Sequence, residues 1–252
     1  MPGTTFGGLA PAAPPGSAEM AALPTNPASS PTAASTMDKR EPEPEQNVLI
    51  PKELPLPQLI PVNDSLPAIQ QDIGDCTRCR LHEGRSRIVF GAGNPEARLV
   101  FVGEGPGEEE DKQGLPFVGR AGQLLTQMIE GTAKKEGIPV LRADVYICNV
   151  VKCRPPKNRT PEPDEMETCG QFLARQLLAL APRAICALGG TAARALLGKK
   201  EGVTRLRGNW FRWNEIPVMV TYHPSYLLRA YSQEAKREAW EDLKKVLHLA
   251  YD

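Results

Sequence analysis

LVFVGEGPGEEED, residues 99–111, decides the reading of the fold. Leu99 to Val102 is an apolar run that ends in a glycine-rich, acidic turn. A short apolar run bounded by turn residues is the pattern of a strand covered on both faces. The pattern recurs at Val145 to Val151, Ala184 to Leu188 and Val218 to Tyr222. Helical segments separate these runs. Gly122 to Glu136 carries Leu124, Leu125, Met128 and Ile129 on one face. Pro163 to Leu180 opens with proline and acidic residues and is closed by Pro182, as helix ends require. Thr191 to Leu197 reads as a short helix, and Gln233 to Ala250 as a terminal amphipathic one. Strands alternating with helices imply an α/β fold, with a central, mostly parallel four-stranded sheet covered on both faces. Ligands of such sheets bind beyond the carboxyl ends of the strands. GEGPGEEED, Asn149 to Arg159 and HPS (223–225) all fall at those ends, so three separated segments are expected to share one site.

Upstream, Leu66 to Asp75 reads as a short helix leading into Cys76. Residues 1–65 are rich in Pro, Ala, Ser and Thr and end in a charged stretch, EPEPEQ. Such a tract cannot build a core and is expected to be a disordered extension, dispensable or a tether for a partner. Residues 66–252 form the expected folded domain. The 252 residues carry 30 basic and 30 acidic side chains. After residue 65 the balance is 27 basic to 23 acidic, a mild excess that permits nucleic-acid binding without arguing for it. No run of about 20 apolar residues suggests a membrane span, and the N-terminus lacks the pattern of a secretory signal. The expected location is the reducing cytoplasm, where structural disulfides are rare.

Six cysteines then need another account. Cys148 and Cys186 lie within apolar strand runs and read as small buried hydrophobes. Cys76 and Cys79 form a C-x-x-C pair, and Cys153 and Cys169 are separated by 15 residues. Four thiolates in polar positions fit zinc or an iron–sulfur cluster. Spacing alone does not choose between them, or exclude free thiols.

Several segments together resemble the thermophile-type, family 4 iron–sulfur uracil-DNA glycosylases. They are CTRC (76–79), GEGPGEEED, LPFVGRAG (115–122), NVVKCRPPKNRTP (149–161), Cys169, LGGTAARALLG (188–198), TRLRG (204–208) and HPSYLLR (223–229). The resemblance implies a three-layer α/β/α sandwich. It implies a 4Fe–4S cluster on Cys76, Cys79, Cys153 and Cys169. It also implies hydrolytic removal of uracil from single- or double-stranded DNA in base excision repair, by a monomer associated with the nucleoid.

Breaking the N-glycosidic bond places positive charge on the sugar and negative charge on the leaving uracil, and the base must first be flipped out of the stack. His223 is the candidate donor to the leaving base. The Asn149 amide can accept from uracil N3–H and donate to O4, a pattern cytosine reverses. Phe117 is expected to stack on the flipped base, as the family's matching phenylalanine does. Glu104 and the backbone of Gly105 should line the pocket. Family 1 enzymes carry G-Q-D-P-Y, whose Asp orients the attacking water; here Gly105 stands in its place. The water is left to Glu104, Glu110 or backbone groups, and Glu110 has a second reading as a block against the thymine methyl. Glu108, Glu109 and Asp111 read as a solvated acidic turn. Lys152, Arg154, Lys157 and Arg159, with Arg205 and Arg207, are expected at the DNA backbone. Leu227, Leu228 and Arg229 are candidates for a wedge that fills the emptied stack.

Three other readings compete with this one. A related variant crosslinks itself to abasic DNA through a histidine in a basic loop; the matching stretch GKKEGVTR (198–205) has none. A non-catalytic DNA-binding module would show decay of HPS or GEGPG, and both are intact. An electron carrier would have its cysteines in tighter runs.

Overall fold

The computed structural model describes residues 64–229 and 233–252. The tract read as a disordered extension lies outside the described residues except for Asp64 and Ser65. Those two already belong to the folded part: Ser65 Oγ caps the first helix by accepting from Ala68 N at 3.3 Å, and Asp64 pairs with Arg175.

The elements follow in chain order. Helix α1 is Leu66–Ile73, β1 Ala92–Gly93, β2 Leu99–Gly103, α2 Glu108–Gln113, α3 Arg120–Glu136 and β3 Tyr146–Asn149. Then come α4 Pro163–Leu180, β4 Ala184–Leu188, α5 Gly190–Leu197, α6 Val203–Leu206, β5 Trp210–Trp213, β6 Ile216–Thr221, α7 Pro224–Arg229 and α8 Gln233–Tyr251. The sheet runs β1-β3-β2-β4-β6-β5. Its four inner strands are parallel and are the four the sequence predicts. The expected count of four is corrected to six, because an antiparallel strand closes each edge. β1 has only two residues, and β5 returns to β6 through Asn214 and Glu215, both at positive φ. Two such residues make the tight turn whose twist suits a hairpin.

Alternate side chains of the inner strands enter two cores. Val100, Val102, Cys148, Ile185, Ala187, Val218 and Val220 pack with α4 and α5. Leu99, Phe101, Ile147, Cys186, Leu188 and Met219 pack with α3 and α8. This period of two, with both faces covered, gives the three-layer sandwich. Cys148 and Cys186 are buried in opposite cores, as predicted. Helix α1 is pinned to α4 by Ile69, Ile73 and Phe172 and by Arg175, whose guanidinium meets Asp64 and Asp72. At the start of α4, Glu165 is buried, accepts from Glu162 N and is held by both Nη of Arg159.

Candidate active site and cysteine site

A cleft of about 1350 Å³ opens at the carboxyl ends of β2, β3, β4 and β6. The three segments predicted to converge do meet there. Glu104, Gly105, Glu110, Phe117, Asn149, His223 and Arg229 all line it.

Asn149 ends β3 and is 1% exposed. Neither Oδ1 nor Nδ2 has a hydrogen-bond partner. Among the described residues it is the one side chain with both polar atoms buried and unpaired; Trp213 and Trp240 each leave only an indole N–H. Buried polar atoms are nearly always paired, so an orphaned amide at a cleft marks a place for a ligand. Gly103 makes this possible: a Cβ there would collide with Asn149 Oδ1 and stand 2.7 Å from the Phe117 ring.

Phe117 is buried, and its ring centroid lies 5.6 Å from that of His223, tilted by 37°. Its backbone has φ +53°, unusual for a residue with a side chain. Gly122 lets the first turn of α3 lie against it, since a Cβ there would collide with the Phe117 carbonyl.

His223 follows β6. Ser225 N donates to its Nδ1 at 3.2 Å, and Ser225 Oγ lies 2.8 Å from the same nitrogen. A backbone N–H only donates, so Nδ1 is unprotonated and the proton sits on Nε2. Burial pushes the imidazole down to about 4, the Arg229 charge adds to this, and Glu110 opposes it. At neutral pH the ring is therefore a neutral donor through Nε2.

The acidic residues behave differently from one another. Glu104 accepts from Thr191 Oγ1 at the start of α5. Glu110 Oε1 accepts from Val118 N and Gly119 N, both at 2.9 Å. A Cβ at Gly105 would stand 2.8 Å from Val151 Cγ2, so a side chain at this position would displace Val151. The acidic stretch is not wholly a turn, because Glu108–Gln113 is helical. Asp111 is also corrected: it is buried, not solvated, and accepts from Ser86 N and Arg87 N.

The basic residues divide in the same way. Lys152 is not a DNA contact. It is 1% exposed, and its Nζ donates to Asn149 O at 2.8 Å and Gln176 Oε1 at 2.6 Å. Arg159 lines the cleft, but its guanidinium is engaged by Glu165; Arg207 is engaged by Asp242 and Glu238. Arg154 reaches Asn158 and Glu108 near the cleft rim. Lys157 and Arg205 are exposed. Arg120 and Lys236 also line the cleft and were not predicted. The only sequence signal was for Arg120, within LPFVGRAG. Of the two candidate wedge leucines, Leu227 is buried, whereas Leu228 is 42% exposed at the cleft.

A second, smaller pocket is lined by all four predicted cysteines: Cys76, Cys79, Cys153 and Cys169. Three of the sulfurs face donors. Arg78 Nη1 is 3.5 Å from Cys76 Sγ, Arg85 Nη1 3.4 Å from Cys153 Sγ, and Lys152 N 3.3 Å from Cys169 Sγ. Burial raises the Cys79 and Cys153 thiols and lifts Cys169 to about 12. Among the described residues, no three His, Cys, Asp or Glu side chains close around a single ion. Four cysteines around one pocket are a donor set that suits a bound metal centre, zinc or iron–sulfur.

The family model described as the Uracil DNA glycosylase superfamily matches residues 90–244. This chain belongs to that superfamily. A type-4 uracil-DNA glycosylase of Thermotoga maritima is 51% identical over 179 residues, covering 70% of this chain and 90% of the relative. Type-4 uracil-DNA glycosylases of Sulfurisphaera tokodaii and Archaeoglobus fulgidus are 43% and 41% identical, covering 74% and 73% of this chain and 86% and 92% of themselves. A type-5 uracil-DNA glycosylase of Thermus thermophilus matches less, at 36% over 44% of the chain. The comparisons thus put this uracil-DNA glycosylase superfamily member with the type-4 branch, as the motifs predict.

Proposed function

We propose that this protein removes uracil from DNA by hydrolysing the N-glycosidic bond, leaving an abasic site for base excision repair. The carrying observation is the buried, unpaired Asn149 amide on the floor of a cleft beside Phe117 and His223. A flipped uracil satisfies that amide, with N3–H donating to Oδ1 and O4 accepting from Nδ2. Cytosine would set donor against donor and acceptor against acceptor. Phe117 supplies the stacking face. His223, neutral and protonated on Nε2, donates to O2 as negative charge gathers on the leaving base. Glu104, held by Thr191, positions the attacking water with backbone groups of the Gly105 turn. Glu110 holds the loop that carries Phe117, accepting from Val118 N and Gly119 N. Arg154, Arg229, Arg120 and Lys236 meet phosphates, and Leu228 enters the emptied stack.

Cys76, Cys79, Cys153 and Cys169 would hold a 4Fe–4S cluster. When bound, it supplies four metal–thiolate bonds that tie the segment after α1, the loop after β3 and helix α4 together. N–H donors aimed at three of the sulfurs are what thiolate ligands need. No helix among the described residues is long and apolar enough to cross a membrane. We place the protein in the cytoplasm at the nucleoid, as a monomer; a tethering role for the N-terminal tract lies outside the described residues. The rival reading, a protein that holds or crosslinks its abasic product, is not favoured by relatives named as glycosylases over most of the chain.

The test is excision from a single-uracil oligonucleotide by cluster-loaded protein. Wild type should release free uracil and leave an alkali-sensitive strand, and His223→Ala and Asn149→Ala should lose about 10²-fold or more. No excision, or a protein band stably shifted onto DNA, sinks the turnover reading.

A further inference from the structure

The segment that carries Phe117, residues 115–119, lies between α2 and α3 with its backbone groups bonded to two side chains from opposite directions. On the carbonyl side, Arg142 Nη2 donates to Pro116 O at 2.9 Å and Phe117 O at 3.0 Å. On the amide side, Glu110 Oε1 accepts from Val118 N and Gly119 N. Between these grips Phe117 holds φ +53°, a conformation unfavourable for a residue with a Cβ. The contacts on either side are what hold it there.

Arg142 is itself held by further contacts. It sits in a 3-10 turn, Arg142–Asp144, just ahead of β3. Its other nitrogen donates to Thr126 Oγ1 at 2.9 Å, and its backbone N to Glu130 Oε1 at 3.2 Å. The side chain is half-buried, and among the described residues its guanidinium makes no ion pair, so a full charge is spent on neutral carbonyls and a hydroxyl. Burial pushes the guanidinium down, and the nearby Glu130 and Glu110 charges oppose this. The strand that follows Arg142 ends in Asn149. One rigid element therefore carries the amide at one end and, through the preceding turn, the grip on the ring.

We propose that Arg142 is a positioning residue for base recognition: it fixes the Phe117 ring against the uracil plane, with Glu110 as the opposing grip. This rests on the glycosylase reading above. It goes beyond that reading by giving Arg142, remote from the cleft lining, a share in base recognition.

The experiment is a double-mutant cycle on the cluster-loaded enzyme, with single-turnover excision and inhibition by free uracil as readouts. Circular dichroism selects a temperature at which each variant is folded. Arg142→Met should lower the excision rate by about 10- to 100-fold, the scale of a misplaced binding group, and weaken free-uracil inhibition. Phe117→Ala should do the same, and Arg142→Met should add less than about 3-fold on that background. Arg142→Lys, able to reach one carbonyl, should fall between. Glu110→Ala should lose more than Glu110→Gln, whose amide oxygen still accepts from both N–H groups. Fully multiplicative losses, unchanged uracil inhibition in Arg142→Met, or equal losses in the two Glu110 variants would overturn the clamp. If Arg142→Met does not fold, Arg142→Lys carries the same cycle. A wild type that excises no uracil overturns the glycosylase reading, and this inference with it. A wild type that excises while Arg142 and Phe117 act independently overturns the inference alone.

Discussion

Two buried amides stand one strand apart and are treated in opposite ways. Gln176, on α4 behind β3, is 0% exposed, accepts from Lys152 Nζ at 2.6 Å and donates to Phe90 O at 3.0 Å. Asn149, at the cleft end of β3, is as deeply buried and bonds to nothing through its side chain. The two are linked, because Lys152 also donates to the Asn149 carbonyl. Behind the sheet, polar groups serve the fold and are complete without a ligand. On the cleft floor, a polar group is left unpaired at the protein's own cost of about 1–3 kcal/mol. Burial alone does not separate the two cases, but the pairing of the polar atoms does.

The largest expected contrast comes from truncating each amide. Asn149→Ala should lower uracil excision by about 10²- to 10³-fold, the scale for removing one preorganised donor, while leaving the urea midpoint unchanged or raised. Gln176→Ala should do the reverse. It takes one of two partners from the buried Lys152 ammonium and the side-chain donor from the Phe90 carbonyl, and should cost about 2–4 kcal/mol of stability, with far less effect on excision measured where the variant is folded. If Asn149→Ala destabilises as much as Gln176→Ala, the cleft amide is a structural group and the comparison breaks.

This contrast also shows what the sequence made legible. The four inner strands and the long helices follow from apolar runs and helix-end residues, and α4 and β4 fall on the predicted bounds. Motif order pointed to Asn149, His223 and Glu104 at the carboxyl ends of strands, where they line one cleft, and to the four cysteines, which line a second pocket. The edge strands escaped because β1 is two residues long, and β5 is half exposed with a turn of Asn214 and Glu215 in place of the usual glycine. Long-range pairing was the other blind spot. Lys152 beside Cys153 looks like a phosphate contact until Gln176, 24 residues on, claims it. Asp111 looks solvated until Ser86 and Arg87 are seen folded against it. Arg142 lies in no quoted motif, and its role shows only through the carbonyls it reaches.

A smaller effect comes from the second polar group of the cleft. His223 titrates at about 4 in the folded chain against about 6.5 unfolded. Its native value is lowered, so below 6.5 the unfolded state binds the proton more readily. The stability tied to this group is whole above 6.5 and lost as pH falls from 6.5 through 4. Urea midpoints should drop between pH 7 and 5 more for wild type than for His223→Gln. Excision should show no histidine-like step near 6.5, since the Nε2 donor persists through that range. A step near 6.5 that vanishes in His223→Gln would mean that the ring works charged.

The last contrast sets two lysines against each other. Lys152 is sealed behind β3, while Lys236 on α8 lines the cleft, and among the described residues it makes no ion pair. A cation that meets a phosphate displaces a counterion, so its removal should lower the slope of log affinity against log salt by about 1. Lys236→Ala should do this for binding to an abasic or uracil-containing duplex, weakening it evenly across sequences. Lys152→Met should leave the slope alone, because the ammonium faces Gln176 and the Asn149 carbonyl. Its loss should appear instead as lower stability and a looser Asn149, read as reduced discrimination between uracil and cytosine. Equal slopes for wild type and Lys236→Ala would remove Lys236 from the DNA face. A reduced slope in Lys152→Met would show the buried strut acting on DNA after all, and the division between the interior and the cleft would lose its sharpest case.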